Sequence, residues 1–353
     1  MEQNRERMYI DVVKGVAIVL MIWGHCIQFC AKDSFNVFSN SVFRFIYSFH
    51  MPLFMLISGY LFSFSYQKRD LKTLLAHRTQ SMLQPIIFAS ILNSFLAQLP
   101  TFVLHGTIQL TNGVLFNGIY SLWFLWCVLS SSTAVAVAGK TARNPWMRFL
   151  LVALGVFFVS LFPENDYHIY MYPYFVAGFY YGNYRRKLPA WLSRCAILSL
   201  LVFPAIIPYY RTRHFIYMTP IYTPNMEMSA LIQVNLFRWF IGFVGSLFVL
   251  TLTGIAFRFF DGRKPGSLIL KGLARLGENS LAIYCLSLPL LSNYLSKFYD
   301  RFLLFTGRNI FAENMTVYNF VFTPILTVFY CFGLYYVVLF MKKIKIHNFI
   351  FRR

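Results

Sequence analysis

The chain has 353 residues, of which 58% are hydrophobic and only 12% are charged, and its mean hydropathy is +0.56. Soluble domains carry about 25% charged residues, so this composition excludes an ordinary soluble globular protein and indicates a polytopic membrane protein. The net charge of +20 would suit a nucleic-acid-binding protein, but the positions of the basic residues argue against nucleic acid as a partner.

Ten apolar segments are candidates to cross a bilayer as helices, which takes about 20 residues each. They are residues 10–29, 43–64, 82–104, 120–138, 149–162, 170–184, 192–209, 237–257, 280–295 and 318–340. The fifth, sixth and ninth are short and are expected to be tilted or buried. The predicted fold is therefore all-α, with about ten transmembrane helices and no soluble linker.

The basic residues predict the orientation of these segments. With the N-terminus in the cytoplasm, 23 of the 32 Lys and Arg residues fall in cytoplasmic loops and tails and six fall outside; three lie within segments: Lys14, Arg44 and Arg238. Cytoplasmic loops carry an excess of Lys and Arg, so both termini are predicted to be cytoplasmic. The resulting cationic inner face is expected to attract anionic lipid or an anionic cofactor.

The first segment carries Asp11, Lys14 and His25 inside an apolar run. A charged side chain near the centre of a spanning helix costs about 2.5–3.5 kcal/mol on insertion scales, so such residues usually face protein or water and have a function. Lys14 and His25 are 11 residues apart. That spacing is about three helical turns, so both are expected on one face, roughly 16 Å apart along the axis.

His50 enters the second segment from outside and reaches a depth similar to that of His25, with Arg44 nearby. Consecutive segments are usually neighbours, so the two imidazoles are expected to converge in the outer half of the bilayer. Imidazole has a reference pKa near ~6.5, which suits proton transfer at neutral pH. The alternative is that each histidine is a polar core residue bonded to a neighbouring backbone.

Small residues and a proline mark helix packing in the second and sixth segments. Pro52 lacks a backbone donor and is expected to disturb its helix. Ser58 and Gly59 permit the close approach of another helix, and Gly178 and Gly182 form a second small-residue face of this kind. On these features alone, a kinked packing helix explains the second segment as well as a functional role does.

Arg78 begins the third segment at the cytoplasmic face, where it would bind a phosphate or, as is more often the case for such an arginine, anchor the helix in the headgroup layer. The six cysteines lie in or beside apolar segments without a CxxC pair, so no metal site is predicted. The remaining histidines are expected in loops or the tail and receive no role: His105, His168, His214 and His347.

Six short motifs occur in an order and spacing that resembles acyltransferase family 3, a family of integral membrane proteins. They are Asp11-x-x-Lys14-Gly15 with His25 ten residues later, residues 49–54 with 57–60, Arg78 with Pro85, 122–125, 174–182 and 277–284. The resemblance covers nearly the whole chain and implies a single transmembrane acyltransferase domain over residues 1–353. The family modifies bacterial surface and periplasmic glycans, which implies a location in the bacterial inner membrane.

The resemblance also implies a reaction and its residues. The family is understood to transfer an acyl group, often acetyl, from acyl-CoA to an acceptor hydroxyl, with no bound cofactor. By that resemblance His25 is the catalytic base, and Lys14 and Arg78 contact the coenzyme. Other polar residues are expected to support the site or to bind the acceptor: Asp11, Arg44, His50 and Ser58. The implied partners are acyl-CoA, a glycan or lipid-linked glycan acceptor, and membrane lipid.

Three positions depart from the family pattern. Lys14 stands where many members have arginine, and a lysine cannot make the bidentate fork to a phosphate. We expect Asp11 or another polar group to pair with Lys14. Ser81 stands where many members have a second basic residue, and Ser287 stands where many have histidine. These differences bear on the coenzyme contacts and on any role for the ninth segment.

Two other classes of function fit the membrane topology. A transporter or exporter of a glycan or small anion would use His25 and His50 as proton relays. A non-catalytic partner in a polysaccharide assembly would keep both histidines for structure alone. Release of free coenzyme A that depends on the acceptor distinguishes a transferase from both.

Overall fold

The computed structural model describes residues 2–31, 37–105, 119, 121–187, 191–263, 266–307 and 309–351, and these ranges contain helices and turns but no strand. The chain forms two compact units. The first unit comprises Met1–Ile46, Leu83–Leu122 and Phe260–Arg353, and the second comprises Tyr47–Met82 and Trp123–Phe259.

The helices follow one another in the order α1 Glu2–Cys30, α2 Ser41–Tyr47, α3 His50–Lys68, α4 Leu71–His105, α5 Trp123–Thr141, α6 Pro145–Val159, α7 Asn165–Tyr184, α8 Trp191–Ile206, α9 Met228–Phe260, α10 Gly266–Glu278, α11 Ser280–Leu290, α12 Ser296–Thr306, α13 Ile310–Glu313, α14 Met315–Val317, α15 Thr323–Lys343 and α16 Ile346–Ile350. Two π-helical turns, Leu291–Leu295 and Tyr318–Phe322, continue α11 into α12 and α14 into α15.

Apart from a break in the second and a few terminal residues, the predicted segments lie in helices, which confirms the all-α class for the described residues. Six stretches are long and apolar enough to cross a membrane: Asn4–Cys30, Ser41–Lys68, Leu71–Leu99, Trp123–Thr141, Met228–Phe260 and Met315–Lys343. Two shorter helices, Pro145–Val159 and Ala196–Tyr209, are also apolar. The chain is thus a multi-pass membrane protein, while the count of ten crossings and the cytoplasmic termini stay predictions. Residue 120, where the fourth segment was predicted to begin, lies outside the described residues.

A break at Ser48 and Phe49 divides the predicted second segment into α2 and α3. Pro52 explains the position of the break, because a helical residue at 52 would donate its N–H to the carbonyl of Ser48, and proline has no N–H. The regular pattern resumes one residue later, where the N–H of Leu53 donates to the carbonyl of Phe49 at 2.8 Å. The expected disturbance by Pro52 is confirmed.

In the first unit, α1 and α10 approach each other until their backbones touch. A Cβ atom on Gly15 would overlap the carbonyl oxygen of Leu273, and one on Gly277 would overlap the carbonyl oxygen of Asp11. Only glycine permits this approach, which resembles the small-residue interfaces of membrane helices. The short amphipathic helix α10 thereby holds the N-terminal half of α1.

In the second unit, α3 and α7 pack together through the small residues that the sequence singled out. A Cβ on Gly59 would overlap the carbonyl oxygen of Phe175, and one on Gly178 would overlap the carbonyl oxygen of Leu56. Gly182 lies against the side chain of Ser63 in the same way. The predicted packing role of these glycines is confirmed, because the glycine of α3 faces α7 and the two glycines of α7 face α3.

Candidate active site

The N-terminal half of α1 carries an ion pair. The Nζ atom of Lys14 lies 2.6 Å from Oδ1 of Asp11, and each side chain is 17% exposed. The two residues are one helical turn apart, so the pair forms within α1 itself. The expected pairing of Lys14 with Asp11 is therefore observed. The aspartate offsets most of the charge that Lys14 would otherwise present to an anion.

The chain just before the ninth predicted segment contributes to the same region of the first unit. Gly277 contacts the backbone of α1 at Asp11 and Gly15, so the Asp11-x-x-Lys14-Gly15 motif and the 277–284 motif meet directly. Next to it, Asn279 donates from Nδ2 to the carbonyl of Arg275 at 2.7 Å. Its Oδ1 accepts a bond of 2.5 Å from Nζ of Lys342. These contacts give the second motif a structural role in holding α1 and α15.

His25 lies near the C-terminal end of α1 and is half-buried. Its Nδ1 is 3.3 Å from Oε1 of Gln28, one turn later, and its ring stacks on Phe29 with the centroids 5.7 Å apart. An amide oxygen only accepts hydrogen bonds, so Nδ1 must donate in this contact. In a neutral imidazole the lone pair then lies on Nε2, which is the basic atom of the ring.

Two hydrogen bonds fix the part of α1 that carries His25. Trp23 donates from Nε1 to Oγ1 of Thr323 at 2.9 Å, and the hydroxyl of Tyr318 donates to the carbonyl of Ile27 at 2.7 Å. Both partners belong to the π-helical turn and the start of α15. Because the imidazole lies between these two anchor points, its position is set by the first unit. Gln28 is visible in the sequence as a polar residue three positions after His25, but no role was predicted for it.

Arg44 lies on the short helix α2 of the first unit and is half-buried. Asn40 starts this helix: its Oδ1 accepts from the N–H of Phe43 at 3.0 Å, and its Nδ2 donates to Oδ1 of Asn319 at 2.7 Å. The N–H of Arg44 donates to the carbonyl of Asn40 at 2.9 Å. Arg44 is therefore carried on a helix that is tied to the core of its unit.

His50 lies in the second unit at the start of α3, only 3% exposed, with its ring centroid 4.6 Å from that of Tyr47. Tyr47 in turn contacts Phe215 and Tyr217, each at a centroid distance of 6.4 Å. Tyr217 is 42% exposed. The sequence did not predict this group of rings around the buried imidazole, because its members are far apart along the chain.

Ser58 and Arg78 lie in the second unit as well. Ser58 is half-buried one residue before the tightly packed Gly59. The guanidinium of Arg78 lies over the ring of Phe62, with Cζ 5.0 Å from the centroid. Its Nε atom is buried and has no hydrogen-bond partner among the described residues, and the same holds for Nδ1 of His77. No hydrogen-bond acceptor among the described residues therefore satisfies the Nε–H of this charged side chain.

Arg238 is a buried cation to which the sequence assigned no role. Its side chain is 0% exposed and lies 5.8 Å from the ring centroid of Tyr170. Its three nitrogens donate to three acceptors in the second unit: the carbonyl of His214 at 2.8 Å, Oδ1 of Asn235 at 3.0 Å and the carbonyl of Thr219 at 2.7 Å. Arg238 therefore holds the segment between α8 and α9 against α9.

Two further histidines, His168 and His214, make structural hydrogen bonds. His168 was predicted in a loop, but this is wrong: it lies inside α7, buried, with its Nδ1 2.6 Å from Oγ of Ser130. His214 ends a 3₁₀ turn, and its Nδ1 accepts from the N–H of Arg211 at 2.8 Å. The described residues contain no cluster of three or more His, Cys, Asp or Glu that would hold a metal ion.

The predicted site residues thus divide between the two units. Asp11, Lys14, His25 and Arg44 belong to the first unit, and His50, Ser58 and Arg78 belong to the second. Within the first unit, α1 carries a paired cation and an oriented imidazole on one helix, with about 16 Å of helix axis between them. The convergence of His25 with His50 stays a prediction.

Comparison with known proteins points to one family. The sequence model of acyltransferase family 3, described as an acyltransferase domain, matches residues 7–340. Nodulation protein NolL of Sinorhizobium fredii is 32% identical over 189 residues, which cover 51% of this chain and 50% of the relative. Nodulation protein NolL of Mesorhizobium japonicum is 28% identical over 185 residues, covering 51% and 49%. The matches thus span about half the length of these curated relatives, and no solved structure matches the chain.

Proposed function

Because the chain belongs to acyltransferase family 3, we propose that it is a membrane O-acyltransferase that moves an acyl group from acyl-CoA to a hydroxyl of a cell-surface or periplasmic glycan. We further propose acetyl as the acyl group and the bacterial inner membrane as the location. The observation that carries the proposal is the match of the family over residues 7–340, together with the oriented imidazole of His25 on α1.

His25 serves as the general base in this proposal. Its Nδ1–H is engaged by Gln28, so Nε2 takes the proton from the acceptor hydroxyl. The acceptor oxygen then attacks the thioester carbonyl and forms the new ester bond. The C–S bond breaks, and the coenzyme leaves as the thiol after taking up a proton. The imidazolium of His25 is the nearest source of that proton.

The donor is bound through its phosphates at the cytoplasmic face. Arg78 supports this proposal most strongly, because its Nε is buried without a partner among the described residues and its planar guanidinium suits phosphate geometry. Lys14 contributes less, since Asp11 already opposes its charge. The roughly 16 Å of α1 between Lys14 and His25 suits an extended pantetheine arm.

The acceptor is a glycan or lipid-linked glycan bound from the outer side. The rings of Tyr47 and Tyr217 near His50 support this proposal, because flat apolar faces beside a polar group are typical of sites that bind small polar molecules in a fixed orientation. Arg44 and His50 would bind the acceptor or stabilise the oxyanion, and Ser58 would support the helix that carries His50.

Coenzyme A release tests the proposal. The protein in nanodiscs is mixed with acetyl-CoA, with and without host surface glycan, and free thiol is followed for the wild type, His25→Ala and a control histidine variant, His347→Ala. We expect glycan-dependent thiol release in the wild type and the control and none in His25→Ala, with all three proteins equally stable. Glycan flux across a vesicle membrane without thiol release would favour the transporter instead. Normal turnover by folded His25→Ala would remove His25 from the mechanism.

A further inference from the structure

A group of two basic side chains and two tyrosines lies within the second unit, at the C-terminal ends of α3, α5 and α7 and the start of α6. These ends all lie on the predicted cytoplasmic side, where α5 and α7 contact each other and both contact α3 and α6. The group contains Tyr66 of α3, Lys140 of α5, Arg148 of α6 and Tyr180 of α7. Neither the resemblance nor the proposed function gives any of these residues a role.

Two polar atoms of this group are buried without a partner. The Nε of Arg148 and the hydroxyl of Tyr180 are both inaccessible to solvent, and neither has a hydrogen-bond partner among the described residues. The charge of Arg148 acts on the hydroxyls of both Tyr66 and Tyr180, so the three side chains share one small region. A buried donor that is left unsatisfied costs about 1–3 kcal/mol, and more when it is charged. A ligand that accepts hydrogen bonds here would remove this cost.

The surroundings of these atoms favour an anion. The Nζ of Lys140 lies 4.4 Å from the ring centroid of Tyr66, and the absence of a side chain on Gly139 leaves room for the hydroxyl of that tyrosine. In the described part of the chain neither Lys140 nor Arg148 forms an ion pair with a carboxylate. Two cations near the same tyrosine repel each other, and a bound anion would offset that repulsion because it attracts both.

We propose that Arg148, Lys140, Tyr180 and Tyr66 form a phosphate-binding site, and that a phosphate monoester is its ligand. Two rings flank the ring of Tyr180: Tyr184 stacks on it with the centroids 6.0 Å apart, and the centroid of Phe149 lies at 6.1 Å. A phosphate carried on the sugar of a nucleotide, whose aromatic base can stack on such rings, suits these surroundings better than an isolated ion. The 3′-phosphate of coenzyme A meets this description, an assignment that rests on the proposed function, and a lipid phosphate headgroup is the other source of the same chemistry.

Binding measurements with two coenzymes test the proposal. The protein in phosphatidylcholine nanodiscs is titrated with coenzyme A and with 3′-dephospho-coenzyme A, which lacks only the phosphate in question. We expect Arg148→Gln to weaken coenzyme A binding about tenfold and Tyr180→Phe to weaken it several-fold. Neither substitution should change the affinity for dephospho-coenzyme A. Arg143→Gln is the matched control, since Arg143 lies exposed in the connection between α5 and α6, shortly before Arg148. This substitution should change the affinity for neither coenzyme A nor dephospho-coenzyme A.

A lipid arm distinguishes the source of the phosphate. Phosphatidic acid retained by the purified protein is counted by native mass spectrometry for the same four proteins. Loss of the lipid in Arg148→Gln, with coenzyme affinity unchanged, would support the phosphate site with a lipid as its occupant. If the wild type binds no coenzyme, the donor assignment fails and the lipid measurement alone decides this site. The site is refuted if Arg148→Gln and Tyr180→Phe leave both coenzyme and lipid binding at wild-type levels.

Discussion

The contact between α1 and α10 leads to a sharp prediction about two glycines on one helix. Gly272 and Gly277 both lie in α10, but a Cβ on Gly272 would meet nothing within 4 Å, whereas one on Gly277 would meet the backbone of α1. We expect Gly277→Ala to destabilise the protein and Gly272→Ala to stabilise it. The same substitution in the same helix thus has opposite effects.

The magnitude follows from the distances. Beyond its overlap with the carbonyl oxygen of Asp11, the new methyl group on Gly277 would lie 2.7 Å from the carbonyl carbon of that residue and 2.8 Å from the nitrogen of Gly15. Ordinary contacts begin near 3.4 Å, so relieving the contact with the carbonyl carbon alone requires the helices to separate by about 0.7 Å, and relieving the overlap with the carbonyl oxygen requires more. Overpacking of this kind costs about 1–3 kcal/mol. Both variants gain about 1 kcal/mol of helix propensity, so their stabilities should differ by the overpacking cost alone.

Thermal unfolding in nanodiscs measures this difference, and equilibrium binding of acetyl-CoA supplies a second readout. The separation of α10 from α1 occurs at Asp11 and Gly15, beside Lys14, so Gly277→Ala should also weaken donor binding while Gly272→Ala leaves it unchanged. A Gly277→Ala protein as stable as Gly272→Ala would show that the two helices are not in backbone contact, and the account of both motifs would fail.

Three further predictions concern the site and its surroundings. Arg78→Gln should weaken acetyl-CoA binding more than Lys14→Gln does, because Asp11 offsets the charge of Lys14; isothermal titration of the two variants compares them. Gln28→Leu should lower kcat about tenfold with little change in KM for acetyl-CoA, and Gln28→Glu, which keeps an acceptor for His25, should restore kcat. Burial and the charges of Arg213 and Arg238 lower the pKa of His214 to about 4, so the melting temperature should fall between about pH 6.5 and pH 4, and His214→Asn should fall less.

The sign of the last prediction comes from proton uptake. An unfolded histidine takes up a proton near pH 6.5, whereas folded His214 does so only near pH 4, so acid favours the unfolded state between these values. Identical pH profiles for the wild type and His214→Asn would contradict it. Equal losses of donor affinity in the Arg78 and Lys14 variants would contradict the first of the three. A Gln28→Leu enzyme with normal kcat would show that Gln28 does not position His25.

Hydropathy and helical spacing were sufficient to predict the long apolar helices. A long apolar run forms a helix in a membrane because every backbone polar group must be bonded within its own segment. The disturbance at Pro52 and the pairing of Asp11 with Lys14 were also predicted, because each depends on neighbours within about one turn. Gly178 and Gly182 were predicted as a packing face from their four-residue spacing, although the residues they contact lie on α3.

Contacts between distant segments were not predictable in the same way. Helix α10 was missed because it is short and carries a narrow apolar face, so it resembles a polar connection between two spans. The acceptors of Arg238 lie up to 24 positions away in a segment without periodicity, and no local pattern connects them. The rings around His50 come from two segments separated by more than 160 positions. Only the folded chain brings such residues together.

The buried cations separate into two classes once their partners are known. Arg238 has an acceptor for each of its three nitrogens, and Lys14 has a carboxylate, so neither needs a ligand to be stable where it is. Arg78 and Arg148 each keep a buried Nε without a partner in the described part of the chain. Leaving a buried guanidinium donor unsatisfied is costly, so a sequence that needed these arginines only for packing would gain stability by replacing them. Both lie on the predicted cytoplasmic side, which is the side from which a phosphorylated donor arrives. The unsatisfied cations, rather than all the basic residues of the inner face, are therefore the positions at which anion binding should be sought first.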